Sequence, residues 1–338
     1  MPEFMVRKFR RPLLLVAVFL LGVPAYSRDS REATWSISPF IDFNNSQYVL
    51  ETPPDKFPFV NPLTGQETFP NGFRLSTQLE YLLYGLRINR SWGSFSFSLE
   101  GATTAGRIRS GEARDDDFYG HPFIKTRNNA SQPQKGFKDT NFVTTGAHNW
   151  SSTFHYLTRN EDQIALGMDY DSDYGRFGLE ARYLYWKDRF DGGPGYAISE
   201  SHPVFLPSPG RVLSLANNQY RLEFTYGYRF QPWNGIVFEP QAGIRIAWTT
   251  VTDFHPYRLL HAYSSTLGWG AKLGLDAAYA WENQKIGIAF YQERYYSSGS
   301  LEQRGGSDFQ TRLANFSTAP VYINTSLRRL RLYYIIEF

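Results

Sequence analysis

The chain has 338 residues, 42% hydrophobic, 17% aromatic and 20% charged, with 23 Tyr, 27 Phe and no cysteine. That aromatic content excludes a disordered chain, the lack of cysteine excludes disulfide and thiolate chemistry, and a single helix-length apolar stretch excludes a polytopic helical membrane protein. The net charge of +3 sits wholly in residues 1–27, where Arg7, Lys8, Arg10 and Arg11 oppose Glu3; the neutral remainder offers nucleic acid no electrostatic footing as a partner.

Residues 1–27 read as a signal peptide. A basic stretch, 6–11, precedes an apolar stretch, 13–23, and Ala25-Tyr26-Ser27 places small residues at the cleavage site. Residues 28–338 are then exported, and a chain crossing an oxidising periplasm avoids mispairing by having no thiols.

The mature chain alternates apolar and polar residues in ten segments: 34–43, 75–91, 94–109, 160–172, 175–188, 216–230, 235–250, 264–281, 284–297 and 327–338. In 176–185, Phe177, Leu179, Ala181, Tyr183 and Tyr185 oppose Arg176, Gly178, Glu180 and Arg182. In 236–248, Ile244, Ile246 and Trp248 oppose Gly243 and Arg245. The run from Leu267 to Trp281 keeps a period of two long enough for a strand of about 50 Å. The last segment ends on Phe338. An apolar face on strands this long predicts an all-β, ten-stranded antiparallel transmembrane barrel, apolar toward lipid and polar toward a wet lumen.

The connections predict the orientation. Short turns fall at Arg90–Gly93, Ser172–Gly175, Gln231–Gly235 and Trp281–Gln284; long segments run 44–74, 110–159, 189–215, 251–263 and 298–326. An outer-membrane barrel puts its short turns in the periplasm and its long loops outside.

Two acidic constellations fall in the predicted external segments. Arg114-Asp115-Asp116-Asp117-Phe118 follows the third strand, and Asp253-Phe254-His255 follows the seventh. Continuing the strand parity turns Asp253 and His255 inward at the mouth, where a carboxylate orients an imidazole and raises its basicity. Strands three and seven stand on roughly opposite walls, so the two constellations face a common space able to hold a water. No G-x-S-x-G or H-E-x-x-H pattern is present. The run Asp169, Asp171, Asp173 with Glu180 lacks the central Gly of a calcium loop, having Tyr174 there, so no metal or cofactor is expected.

These residues resemble the omptin family of outer-membrane proteases. The matching stretches are Gln78-Leu79-Glu80-Tyr81, Ala102-Thr103-Thr104-Ala105-Gly106, Arg114 to Phe118, and Trp248 to Thr252 leading into Asp253-Phe254-His255. The resemblance implies an endopeptidase with its active site outside the cell and a peptide or protein substrate. It implies that Asp115 and His255 flank the attacking water, that Asp117 supports Asp115, and that Asp253 orients His255. The family's carboxylates for a basic residue before the cut are replaced here by Val251 and Ser46, with Glu51 nearby. Its lipopolysaccharide motif on strand five corresponds to Tyr183-Leu184-Tyr185-Trp186-Lys187, in which Tyr183 matches and Lys187 keeps the charge. The chain is expected to act as a monomer in outer-membrane lipid, with lipopolysaccharide as a further requirement. The alternative is a non-catalytic barrel, a porin-like channel or a surface adhesion protein. Inward charges such as Glu100, Arg182, Glu223, Glu239, Arg245, Lys272 and Asp276 plug the lumen if they pair and line a pore if they do not.

Overall fold

The structure is a computed structural model that describes residues 33–52, 59–60, 67–68, 71–104, 108–109, 111–119, 150–154, 156–199, 202–256, 259–305 and 316–338. The signal peptide assigned to 1–27 lies outside the described residues.

Ten strands form one closed antiparallel barrel. They are β1 (Thr34–Thr52), β2 (Asn71–Trp92), β3 (Phe95–Thr103, continued by Ile108–Arg109 and Glu112–Tyr119), β4 (Trp150–Phe154 and Tyr156–Ser172) and β5 (Gly175–Ser199), followed by β6 (His202–Gly227), β7 (Ile236–His255), β8 (Leu260–Trp281), β9 (Gln284–Gly305) and β10 (Phe316–Glu337). Each pairs with the next, and β1 closes the ring by pairing with β10 from Ser36↔Glu337 to Glu51↔Tyr322. The four tight turns fall where the sequence places them. Gly93 (φ 60°) and Gly235 (φ 78°) take left-handed conformations there, and a Cβ on Gly235 would lie 2.8 Å from the Tyr279 ring.

The strands run well past their predicted upper ends. β1 has 19 residues and β6 has 26, and segments 44–52, 189–199, 251–255 and 298–305, expected as external loops, are strand. The reason is a change in the hydrophobic code along each strand at constant parity. On β2 the outward residues are Ile88, Leu86, Tyr84 and Leu82 in the lower half, then Glu80, Gln78, Ser76 and Arg74 above. Inward residues change the other way, from Ser91, Asn89 and Arg87 to Leu83, Tyr81, Leu79 and Leu75. β1 repeats this, with Ile41 and Phe43 giving way to Asn45 and Gln47 outside, and Asp42 and Asn44 giving way to Tyr48 and Leu50 inside. The lower barrel thus meets lipid with its outer face. The upper barrel has an interior rich in apolar residues and a polar exterior, as a water-soluble sheet does.

Of the two lumens that the inward charges allowed, plugged or pore-lining, these interiors give the plugged one. Above the apolar belt, Tyr48, Leu79, Trp186, Phe190, Leu215 and Val251 belong to one buried cluster. Within the belt, the inward charges pair. Arg331 meets Glu100 and Asp42, Arg182 meets Glu100 at 3.0 Å, Lys272 meets Glu223 at 2.7 Å and Arg245 meets Glu293 at 2.6 Å. Below these pairs a cavity of about 320 Å³ is lined by residues of the lower barrel, including Ser36, Asp169, Arg229 and Lys285.

Candidate active site

Asp253 and His255 end β7. Asp253 stands opposite Leu215 of β6 and Ala262 of β8, and His255 stands opposite Leu260. Their parity is that of Arg245, Ala247, Thr249 and Val251, all buried, while Ile244, Ile246 and Trp248 face outward at 66%, 59% and 49% exposure. The strand stops immediately beyond, where Leu259 adopts a positive φ of 49° and its N–H reaches back to the Pro256 carbonyl at 3.4 Å. Phe254, of opposite parity, stacks on His261 at 4.3 Å between ring centres.

The two side chains predicted to pair are in contact, with His255 Nε2 3.0 Å from Asp253 Oδ2. The carboxylate is the more buried partner, at 8% side-chain exposure against 19% for the imidazole. A buried carboxylate on one ring nitrogen fixes the ring's tautomer and favours its protonated form. The second carboxylate oxygen, Oδ1, is buried and has no hydrogen-bond partner among the described residues.

Asp115, Asp116 and Asp117 lie on the upper part of β3, a strand rather than the loop expected there. In backbone register Asp115 stands opposite Leu75, Asp116 opposite Arg74 and Asp117 opposite Phe73. Leu75 is 1% exposed and belongs to the interior cluster. The side chains of Asp115 and Asp117, and with them the predicted approach of Asp115 to His255, lie outside the described residues. β3 and β7 are four places apart in the ring of ten.

Below the pair, the positions replacing the expected carboxylates are both buried. Val251 packs in the apolar cluster, at 2% exposure. Ser46 accepts a hydrogen bond from Arg159 Nη1 at 3.4 Å. Arg159 closes on Asp188 through two contacts of 2.7 Å and lies 5.3 Å from the ring centres of both Tyr81 and Trp186. Glu51 has the outward parity of β1 and faces Arg74 at 3.8 Å, away from the interior. The Arg159–Asp188 pair was not singled out from the sequence. Its signal was there, because the two residues stand directly opposite each other in the β4–β5 register, but register is set by the fold.

On the outer wall, the Tyr183 hydroxyl donates to Asn218 Oδ1 at 2.9 Å, and its ring lies 5.1 Å from that of Tyr220. Tyr220 stacks on Trp248 at 5.5 Å, and Trp248 Nε1 donates to Ser265 Oγ at 2.9 Å. These residues form part of an aromatic girdle at the top of the apolar belt. Lys187 lies two outward positions above Tyr183.

A family model described as "Putative porin" matches residues 63–327. No curated protein matches the chain in sequence. Among solved structures, the outer membrane protease OmpT from Escherichia coli is similar at a TM-score of 0.61 and 13% identity, covering 92% of this chain and 100% of that one. The translocator domain of the autotransporter NalP from Neisseria meningitidis gives a TM-score of 0.38 at 8% identity, covering 99% of this chain and 96% of that one. At these identities the likeness to OmpT is one of fold. The chain is an outer-membrane β-barrel.

Proposed function

We propose that this chain, which belongs to the family described as "Putative porin", is an endopeptidase whose water-activating site is the Asp253–His255 pair at the extracellular mouth. The observation that carries this reading is the 3.0 Å contact between His255 Nε2 and Asp253 Oδ2 on the interior face of the last turn of β7. The likeness in fold to OmpT supports it.

In this reading Asp253 holds one ring nitrogen of His255, and the other takes a proton from a water. Asp115, with Asp117 behind it, holds that water from the β3 wall. The hydroxide adds to the peptide carbonyl carbon, and the proton on His255 passes to the departing amine nitrogen as the C–N bond breaks. No side chain forms a covalent intermediate. Tyr183 and Lys187 would meet lipopolysaccharide on the outer wall, the lysine pairing with a phosphate.

A second reading, a passive channel, is favoured by the family description. Against it stand the paired inward charges, which occupy the membrane-level lumen, and the apolar cluster above them. One experiment separates the readings. Purified, folded protein in lipopolysaccharide is incubated with a diverse peptide library, and its channel activity is measured in a planar bilayer. Cleavage that His255→Ala abolishes supports the peptidase. Stepwise conductance with no cleavage supports the channel.

A further inference from the structure

Tyr48 crosses the interior of the barrel. It stands on β1, at 1% exposure, and Asn217 stands on β6, five places round the ring and fully buried. The Tyr48 hydroxyl faces the Asn217 side chain, with Asp253, Asp188 and Arg159 also around it. Asn217 is opposite Val251, and Asp253 is opposite Leu215, so Asn217 and Asp253 are inward-facing diagonal neighbours. Yet the Tyr48 hydroxyl, both polar atoms of the Asn217 amide and Asp253 Oδ1 are all buried, without a hydrogen bond of ordinary geometry among the described residues.

Leaving even one such group unsatisfied is costly, because it loses its hydrogen bonds to water and gains none in return. Four of them gathered in one dry region match the donors and acceptors of a water, which binds buried sites through two to four polar partners. The nearby charges do not satisfy them, because Arg159 and Asp188 close on each other.

We propose that Tyr48 and Asn217 bind one buried water that donates to Asp253 Oδ1, so that Asp253 is held on both oxygens, by the water below and by His255 above. Tyr48 and Asn217 are then positioning residues. They touch neither substrate nor reacting water, and they act through Asp253 on the protonation of His255. The role of His255 as base rests on the proposed peptidase, but the bound water and its effect on the imidazole do not.

The test is the titration of His255 by NMR in detergent, using protein labelled at its six histidines, with His255→Ala to assign the signal. Among the described residues, Asp253 is in direct contact with His255, at 3.0 Å. A donor on Oδ1 draws negative charge from the carboxylate and weakens its attraction for a protonated His255, so removing the donor raises the His255 midpoint. Tyr48→Phe and Asn217→Leu should each raise the midpoint by about half a unit or more, the size expected for one hydrogen bond. Asn217→Ser, which keeps a donor, should reverse part of the rise. Should Asn217→Leu fail to fold, Tyr48→Phe decides, because it removes a single oxygen. Midpoints unchanged in the folded variants overturn the proposal, whatever the activity. If wild-type protein cleaves no peptide but the midpoints rise as stated, the peptidase reading fails and the buried water stands.

Discussion

Arg331 of β10 meets Glu100 of β3 inside the barrel, at 2.9 and 3.2 Å, with Glu100 1% exposed. Arg182 and Arg87 converge on the same carboxylate at 3.0 and 2.9 Å. One buried anion thus ties together β2, β3, β5 and β10 across the lumen, at the level of the apolar belt. A channel would need those charges hydrated, whereas here they are spent on one another.

The first prediction concerns permeation. Wild-type protein in a planar bilayer should show no stepwise conductance. Glu100→Ala should cost about 3–5 kcal/mol, because it leaves buried guanidinium groups without their counter-charge. The loss is read as a lower temperature for the heat-induced shift in gel migration. Stable open-channel steps from the wild type would refute the sealed lumen.

The buried Arg159–Asp188 pair should behave in the same way. Asp188→Asn should destabilise the barrel strongly. The double variant Arg159→Met with Asp188→Leu should recover most of that loss, since replacing both partners with apolar groups of similar size is often close to neutral. Equal destabilisation by the single and double variants would show that the pair's charge is not what matters.

Catalysis should depend on the two residues that end β7. His255→Ala and Asp253→Asn should each lower turnover by about 10²–10⁴-fold, the typical loss for a positioned base. Asp115→Asn should cost a similar factor. Asp116→Asn should cost much less, because its register partner is the outward Arg74. Full activity in the Asp115 and His255 variants would remove the site assignment while leaving the fold untouched.

Profiling of a cleaved peptide library should show no dominant preference for Arg or Lys before the cut. Val251 is apolar and buried, Ser46 is engaged by Arg159, and Glu51 faces outward. A buried cation without a counter-charge is costly. A strong basic preference would mean that carboxylates outside the described residues supply the pocket.

The change of hydrophobic code along the strands can be read by fluorescence. In single-tryptophan variants reconstituted in brominated lipid, Trp269, outward and 67% exposed, should be quenched strongly. Trp186, 4% exposed in the interior of the upper barrel, should be quenched little. Equal quenching would place the upper barrel in the bilayer and undo the division between the two halves.

The alternation of short-range polarity by itself determined the strand count, the four tight turns and the inward parity of Asp253 and His255. Parity is a local property, because neighbouring residues on a strand point to opposite faces whatever the rest of the chain does. The pairing of Asp253 with His255 followed for the same reason, the two residues being two apart on one face. The upper strand boundaries did not follow. Above the membrane the same strand wants apolar residues inside and polar ones outside, and a reading tuned to lipid outside takes that inverted half for loop. Contacts between distant strands were beyond the sequence altogether. Glu100 with Arg331, Arg159 with Asp188, and Tyr48 facing Asn217 depend on ring closure and register, which set which inward side chains share a level across the lumen. Only the tertiary structure could therefore decide that the inward charges neutralise one another and that the mouth rests on an apolar cluster.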